Sequence, residues 1–179
     1  MEKREPEVIL VDLADHPIGK CGKLEAHLNP RLHRAFSAFL VCGDEILLQK
    51  RAFGKYHSGG LWANSCCSHP RPGEGTAEAA ERRIREELGI ACRVAERFSF
   101  VYCAGFENGI WEYEYDHVLL GQLAEKPVLH PDPEEIESVR WVPAVQLAVE
   151  LLEDPARFAV WFRTAAPAVL RILGTDEHD

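Results

Sequence analysis

Apolar positions along this chain change their spacing several times. Val8–Leu13 is a short apolar run and reads as a strand. Ala35–Val41 and Glu45–Arg51 read as two strands joined by a turn at Gly43-Asp44. Between 52 and 75 the pattern gives way to Gly, Pro, His, Ser and Asn, which predicts a long loop. Loops of that length inside a compact domain tend to carry function. Periodicity returns at Thr76, the expected cap of a helix to Leu88 with Gly89 as its stop signal. On that helix Ala77, Ala80, Ile84 and Leu88 are expected to share a buried face, with Glu78, Arg82 and Glu86 pointing away. Glu87 falls at the border of the stripe, beside Arg83, where it needs a partner such as an arginine or a metal ion. Arg93–Tyr102 reads as strand, and Asn108-Gly109 predicts a hairpin turn into Ile110–Gly121. Ile136–Val142 reads as strand. Helices are predicted over Ala144–Glu153 and Ala156–Leu173, the second kinked or divided at Pro167. The order predicts an α+β fold with a mixed sheet sandwiched between helices.

Composition narrows the class. A chain of 179 residues with 46% hydrophobic positions fits one domain, expected over 1–179 with a core about 30–165, and needs no disulfide or metal staple. With 20 basic and 29 acidic residues the net charge is 20 − 29 = −9, which argues against a nucleic-acid partner. No apolar run approaches the ~18 residues of a membrane span, so no membrane partner is expected. The charged start, Met1 to Pro6, has no apolar core behind it, so no signal peptide is expected and the location should be cytoplasmic. Six cysteines form no C-x-x-C pair; Cys42, Cys92 and Cys103 read as small buried residues. The adjacent pair Cys66-Cys67 stands apart because of its neighbours.

Two motifs carry a family resemblance. Glu74, Arg82, Arg83, Ile84, Glu86, Glu87, Gly89 and Ile90 resemble the Nudix box, with Ser68 in place of its first Gly and Arg83 in place of a Glu. Asn64-Ser65-Cys66-Cys67-Ser68-His69-Pro70 resembles the N-x-C-[GS]-H-P element of type I isopentenyl-diphosphate isomerases, which have a Nudix-like fold. Leu32–Ser37 with His27 upstream, Leu47–Lys55, Trp62-Ala63-Asn64, Glu112-Tyr113-Glu114 with Tyr102 before it, and Trp161 in the cluster Phe158–Phe162 are similar to further segments of that family.

The resemblance implies a site. Cys67 and Glu114 would handle protons, with Tyr102 relaying or holding one and Trp161 stabilising a cation by its ring face. His27, His33, His69, Glu112 and Glu114 would surround a divalent ion. Three imidazoles with carboxylate oxygens suit Mn²⁺ or Zn²⁺ better than Mg²⁺. Lys23, Arg51, Lys55 and Arg83 would contact a small-molecule diphosphate, and Mg²⁺ would bridge it to Glu87. The expected reaction converts isopentenyl diphosphate to dimethylallyl diphosphate in isoprenoid biosynthesis through a carbocation-like state. Which of Cys67 and Glu114 adds the proton stays open, as does the oligomeric state. Cys66 rivals Cys67, which is preferred because it directly precedes Ser68-His69-Pro70. Cys67 is expected to be partly thiolate at its working stage, helped by local positive charge. Glu112 and Glu114 are two apart and share one strand face, with Trp111, Tyr113 and Tyr115 expected inward on the other. His16, His57, His117, His130 and His178 read as ordinary histidines. The alternatives are a Nudix pyrophosphohydrolase acting on a nucleoside diphosphate derivative, and a non-catalytic binding module.

Overall fold

The computed structural model describes residues 6–176; the charged N-terminal stretch before Pro6, and His178, lie outside the described residues. In chain order the first half contains β1 (Glu7–Val11), β2 (Pro17–Gly22), α1 (Lys23–Leu28), β3 (His33–Cys42), β4 (Glu45–Arg51), β5 (Trp62–Ala63) and β6 (Cys66–Ser68). The second half contains α2 (Thr76–Leu88), β7 (Ala95–Gly105), β8 (Trp111–Leu123), β9 (Ile136–Pro143), α3 (Ala144–Glu153), a 3-10 turn (Pro155–Arg157) and α4 (Val160–Asp176).

The continuous apolar run of β3 explains its place at the centre of the sheet. A strand covered on both faces has no reason to alternate. Phe36, Ala38 and Leu40 pack with Leu47 against Ala80, Ile84 and Leu88 of α2. Phe39 and Val41 pack with Ile46 and Leu48 against Leu147 of α3 and against Phe162 and Val169 of α4. β3 runs parallel to β8, from His33↔Glu114 to Cys42↔Leu123, and antiparallel to β1, β4 and β6. β7 pairs with β8, and β9 with β4. The result is the expected mixed sheet between helical layers. No described helix is long and apolar enough to cross a membrane.

Several local expectations change. The loop after β4 contains β5 and β6, too short to show a period of their own. β2 and α1 carry no strong pattern, since β2 is largely exposed and α1 has six residues. Gly75, not Thr76, caps α2, and it does so without a side-chain bond. Ala79 replaces the exposed Ala77 on the buried face, so that face is rotated from the expected one. Gly89 ends the helix at φ 71°, where a Cβ would meet that of His130 at 2.8 Å. Residues 155–157 turn before α4 begins, and α4 continues undivided through Pro167. Burial of Ala165, Ala166 and Val169 around that proline holds the helix in place. Cys92 is buried and Cys42 half-buried, whereas Cys103 is exposed on β7, which among the described residues pairs with β8 alone.

The largest correction concerns the faces of β8. Glu112, Glu114 and Asp116 point inward at 4%, 6% and 1% exposure, while Trp111 is exposed and Tyr113 and Tyr115 are half-buried. Three carboxylates are tolerated inside only because each finds hydrogen-bonding partners. For Asp116 that partner is Ser37, whose Oγ donates at 2.8 Å.

Candidate active site and metal centre

The parallel pairing of β3 and β8 sets His33 beside Glu114. α1 supplies His27, wholly buried, and the chain leaving β6 supplies His69. One donor atom from each of these four residues lies within 4.8 Å of all the others. His69 Nε2 is 2.9 Å and His33 Nε2 3.4 Å from Glu114 Oε1, with the two imidazole nitrogens 3.2 Å apart. His27 Nε2 lies 4.0 Å from the same oxygen.

The chemistry of this set fits a divalent ion. His33 Nδ1–H donates to the carbonyl of Arg31 at 2.8 Å, which leaves the Nε2 lone pair facing the cluster. His27 Nε2 is buried without a hydrogen-bond partner. Burial, reinforced by His33, pushes His27 down to about 4; burial and Lys23 push His69 down to about 3. Both imidazoles are therefore neutral near pH 7, as ligation requires. Burial alone would raise Glu114, but the imidazoles of His33 and His69 packed against it hold its carboxyl well below the usual range.

Glu112, the fifth residue expected around the ion, lies beside these four and faces Tyr102 and His57. Its Oε2 accepts from Tyr102 at 3.1 Å, and its Oε1 lies 3.1 Å from His57 Nε2. The Tyr102 hydroxyl also donates to Glu114 Oε2 at 2.5 Å, so one phenol bridges the two carboxyls. Burial and the charge of Glu114 push Glu112 well up. Burial, Glu112 and Glu114 do the same to Tyr102, which stays a donor.

A cavity opens beside this cluster, lined by Lys23, Arg51, Cys67, Tyr102, Glu114 and Trp161 among others. It offers about 40 Å³ to water-sized occupants within about 360 Å³ of free space that includes its open mouth. Alternation along β6 points the two cysteines in opposite directions. Cys66 is wholly buried in the core under α2, and Cys67 faces the cavity. Arg51 approaches Cys67 Sγ at 3.8 Å and lies over the Trp161 ring at 5.1 Å from its centre. In the resting site Cys67 is held as the thiol. Burial outweighs Arg51 and pushes the thiol up to about 12.

The expected basic group divides. Lys23 and Arg51 line the cavity. Lys55 pairs with Glu135, and Arg83 bridges Glu87 at 2.5 Å and Glu135 at 3.3 Å. Glu87 is buried beneath Arg83, and burial pushes its carboxyl up. His57 is the site residue missed in the sequence. It is 8% exposed, lines the cavity, and stacks on Phe106 with centroids 4.8 Å apart. Its position in a stretch without period gave no signal. The other described histidines lie elsewhere: His117 pairs with Asp15 and Glu96, and His16 with Asp12.

Comparison with known proteins adds a second line. Residues 31–162 match the NUDIX domain family. The chain is 48% identical over 176 residues to Isopentenyl-diphosphate Delta-isomerase 1 of Aromatoleum aromaticum, covering 98% of this chain and 97% of that protein. It is 44% identical over 159 residues to Isopentenyl-diphosphate Delta-isomerase of Burkholderia multivorans, covering 88% and 89%. Among solved structures, DR0079 from Deinococcus radiodurans superposes with a TM-score of 0.65 at 19% identity, over 83% of this chain and 90% of that one. A MutT protein from Methanosarcina mazei Go1 gives 0.59 at 16% identity, over 83% and 96%. These two likenesses concern the fold.

Proposed function

The chain belongs to the isopentenyl-diphosphate Delta-isomerases of the NUDIX domain family, and from that premise we propose how its cavity works. The enzyme isomerises isopentenyl diphosphate to dimethylallyl diphosphate. A proton adds to the terminal methylene carbon, the neighbouring tertiary carbon takes on cationic character, and a proton leaves the carbon on its other side. Cys67 and Glu114 serve as the two proton-handling groups, with Tyr102 holding a proton at the Glu114 carboxyl. Trp161 offers a ring face to the developing cation and helps to exclude water. The observation that carries this reading is one cavity lined by Cys67, Tyr102, Glu114 and Trp161, with Glu114 also in the histidine cluster.

His27, His33, His69 and Glu114, with Glu112 beside them, would hold a divalent ion, Mn²⁺ or Zn²⁺ from the nitrogen-rich donor set. When bound, the ion supplies a fixed positive charge that lowers the proton affinity of Glu114. Lys23 and Arg51 receive the diphosphate. Lys55 and Arg83 complete that end once the substrate competes with Glu135 for the two cations, and Glu87 would hold Mg²⁺ there to balance the diphosphate charge. The whole chain works as one domain, with its core about 30–165, on a small cytoplasmic diphosphate.

The test is incubation with isopentenyl diphosphate and Mg²⁺ in deuterated water, followed by NMR. The expected product is the dimethylallyl isomer carrying deuterium, with no phosphate released. Release of phosphate or pyrophosphate would instead identify a Nudix hydrolase. Cys67→Ala should bind substrate without turning it over, and Cys66→Ala should remain active. The reverse result would exchange the two cysteines.

A further inference from the structure

Asn64 is wholly buried between the strand that carries Cys67 and the helix that carries Trp161. Every hydrogen-bonding group of its amide that can face a partner does so. Nδ2 donates to the Cys66 carbonyl at 2.8 Å and to the Ala38 carbonyl at 3.1 Å. Oδ1 accepts the indole N–H of Trp161 at 3.0 Å. A reversed amide would set its NH₂ against the indole N–H and its oxygen against two carbonyls, so the partners fix its orientation. The residues beside it reinforce the same junction. The Trp62 carbonyl accepts from Ala159 N–H at 2.9 Å, just before α4 begins. Ser65 Oγ donates to the Leu47 carbonyl at 2.6 Å and accepts from Leu40 N–H at 2.8 Å.

Trp161 has one polar group with which to choose among ring orientations, and Asn64 engages it. The same amide grips the peptide carbonyl immediately before Cys67. We propose that Asn64 is a positioning residue for the reaction. It fixes the plane of the Trp161 ring across the cavity and ties that plane to the backbone carrying Cys67, so the two walls hold one separation. This deepens the reading given above and rests on its assignment of Cys67 and Trp161. An asparagine that only satisfied buried carbonyls would alter stability and leave the chemical step alone.

The experiment combines steady-state kinetics with the indole N–H resonances in nitrogen-15 NMR, on Asn64→Leu, Asn64→Asp, Trp161→Phe and the Asn64→Leu/Trp161→Phe double variant. Asn64→Leu should lose about 100-fold in kcat, the scale of a misplaced reacting group, with KM little changed. The Trp161 indole proton should then shift and exchange with solvent. Asn64→Asp keeps the acceptor and loses both donors. It should retain the indole resonance while kcat still falls. The double variant should be no slower than the slower single, because both remove one shared coupling. Wild-type kcat in a folded Asn64→Leu, or losses that multiply in the double variant, would overturn the assignment. If Asn64→Leu does not fold, wild-type kcat in Asn64→Asp overturns the tie to Cys67. Full turnover by Cys67→Ala would instead sink the parent reading, whatever the Asn64 variants do.

Discussion

At the scale of single residues, the same side chain differs in chemistry according to what surrounds it. Cys67 and Cys103 are both free thiols, yet one is half-buried and faces the cavity and the other lies exposed on an edge strand. Because burial holds the Cys67 thiol up at about 12, only a minute thiolate fraction exists at pH 8. Iodoacetamide at that pH should therefore label Cys103 first and leave Cys67 largely unmodified, as peptide mass mapping would show. Early labelling of Cys67 would contradict a thiol held protonated by its surroundings. Glu87 shows the opposite management of burial: a carboxylate placed inside and covered by Arg83. Arg83→Ala strands that charge, and the expected loss is about 3–5 kcal/mol in urea unfolding. Arg83 and Glu87 were legible as a pair from their spacing of four on a helix. His57 was not, because nothing in a stretch of Gly, Lys, Tyr and Ser says that it will lie against Glu112. The pairing of His33 with His69 could come only from resemblance, since their contact crosses 36 residues.

At the scale of elements, the strongly periodic ones were the readable ones. β4 and α3 have the bounds expected from their patterns, and α2 begins and ends where its glycines permit. The aromatic alternation on β8 pointed the wrong way because apolar character is a guide to burial only where no polar network competes for the interior. Here Tyr102, His57, His33 and His69 make that network, and they come from four separate parts of the chain. Between α3 and β9 a smaller ionic contact can be isolated. Glu150 accepts from Arg140 at 2.5 Å and 3.1 Å, and Arg140 lies over the Trp62 ring at 4.5 Å. The Arg140 hydrogen bonds lower the Glu150 carboxyl below its ordinary value of 4.5. Its contribution is therefore present above the unfolded value and lost as pH falls through the lower folded one. Glu150→Gln should destabilise the protein at pH 7 and match the wild type once both are titrated below that carboxyl. A stability difference that persists unchanged in acid would exclude the ionic contribution.

For the whole molecule, the fold class was readable because strands and helices group as they do, and the composition excluded most other classes. What the pattern could not give was the meeting of distant segments at one cavity. Four of the residues expected around the ion, His27, His33, His69 and Glu114, meet only at this scale, since α1, β3, β8 and the chain leaving β6 all converge there. A ligand that binds only the folded chain stabilises it by about 2.7 kcal/mol at a concentration 100 times its Kd. Chelation followed by dialysis should therefore lower Tm and abolish isomerisation, and adding back Mn²⁺ or Zn²⁺ should restore both. An unchanged Tm in the chelated protein would argue against an ion at these four residues.

The register that seats His33 opposite Glu114 has a kinetic corollary. Sliding those two strands by one residue would turn one partner outward and disperse the donors, so an almost-correct sheet cannot capture an ion tightly. The contact joins positions far apart in sequence, whose closure entropy must be overcome before any reward. Cobalt added during refolding would thus colour the solution only after this long-range alignment completes, reporting fidelity of assembly rather than mere collapse.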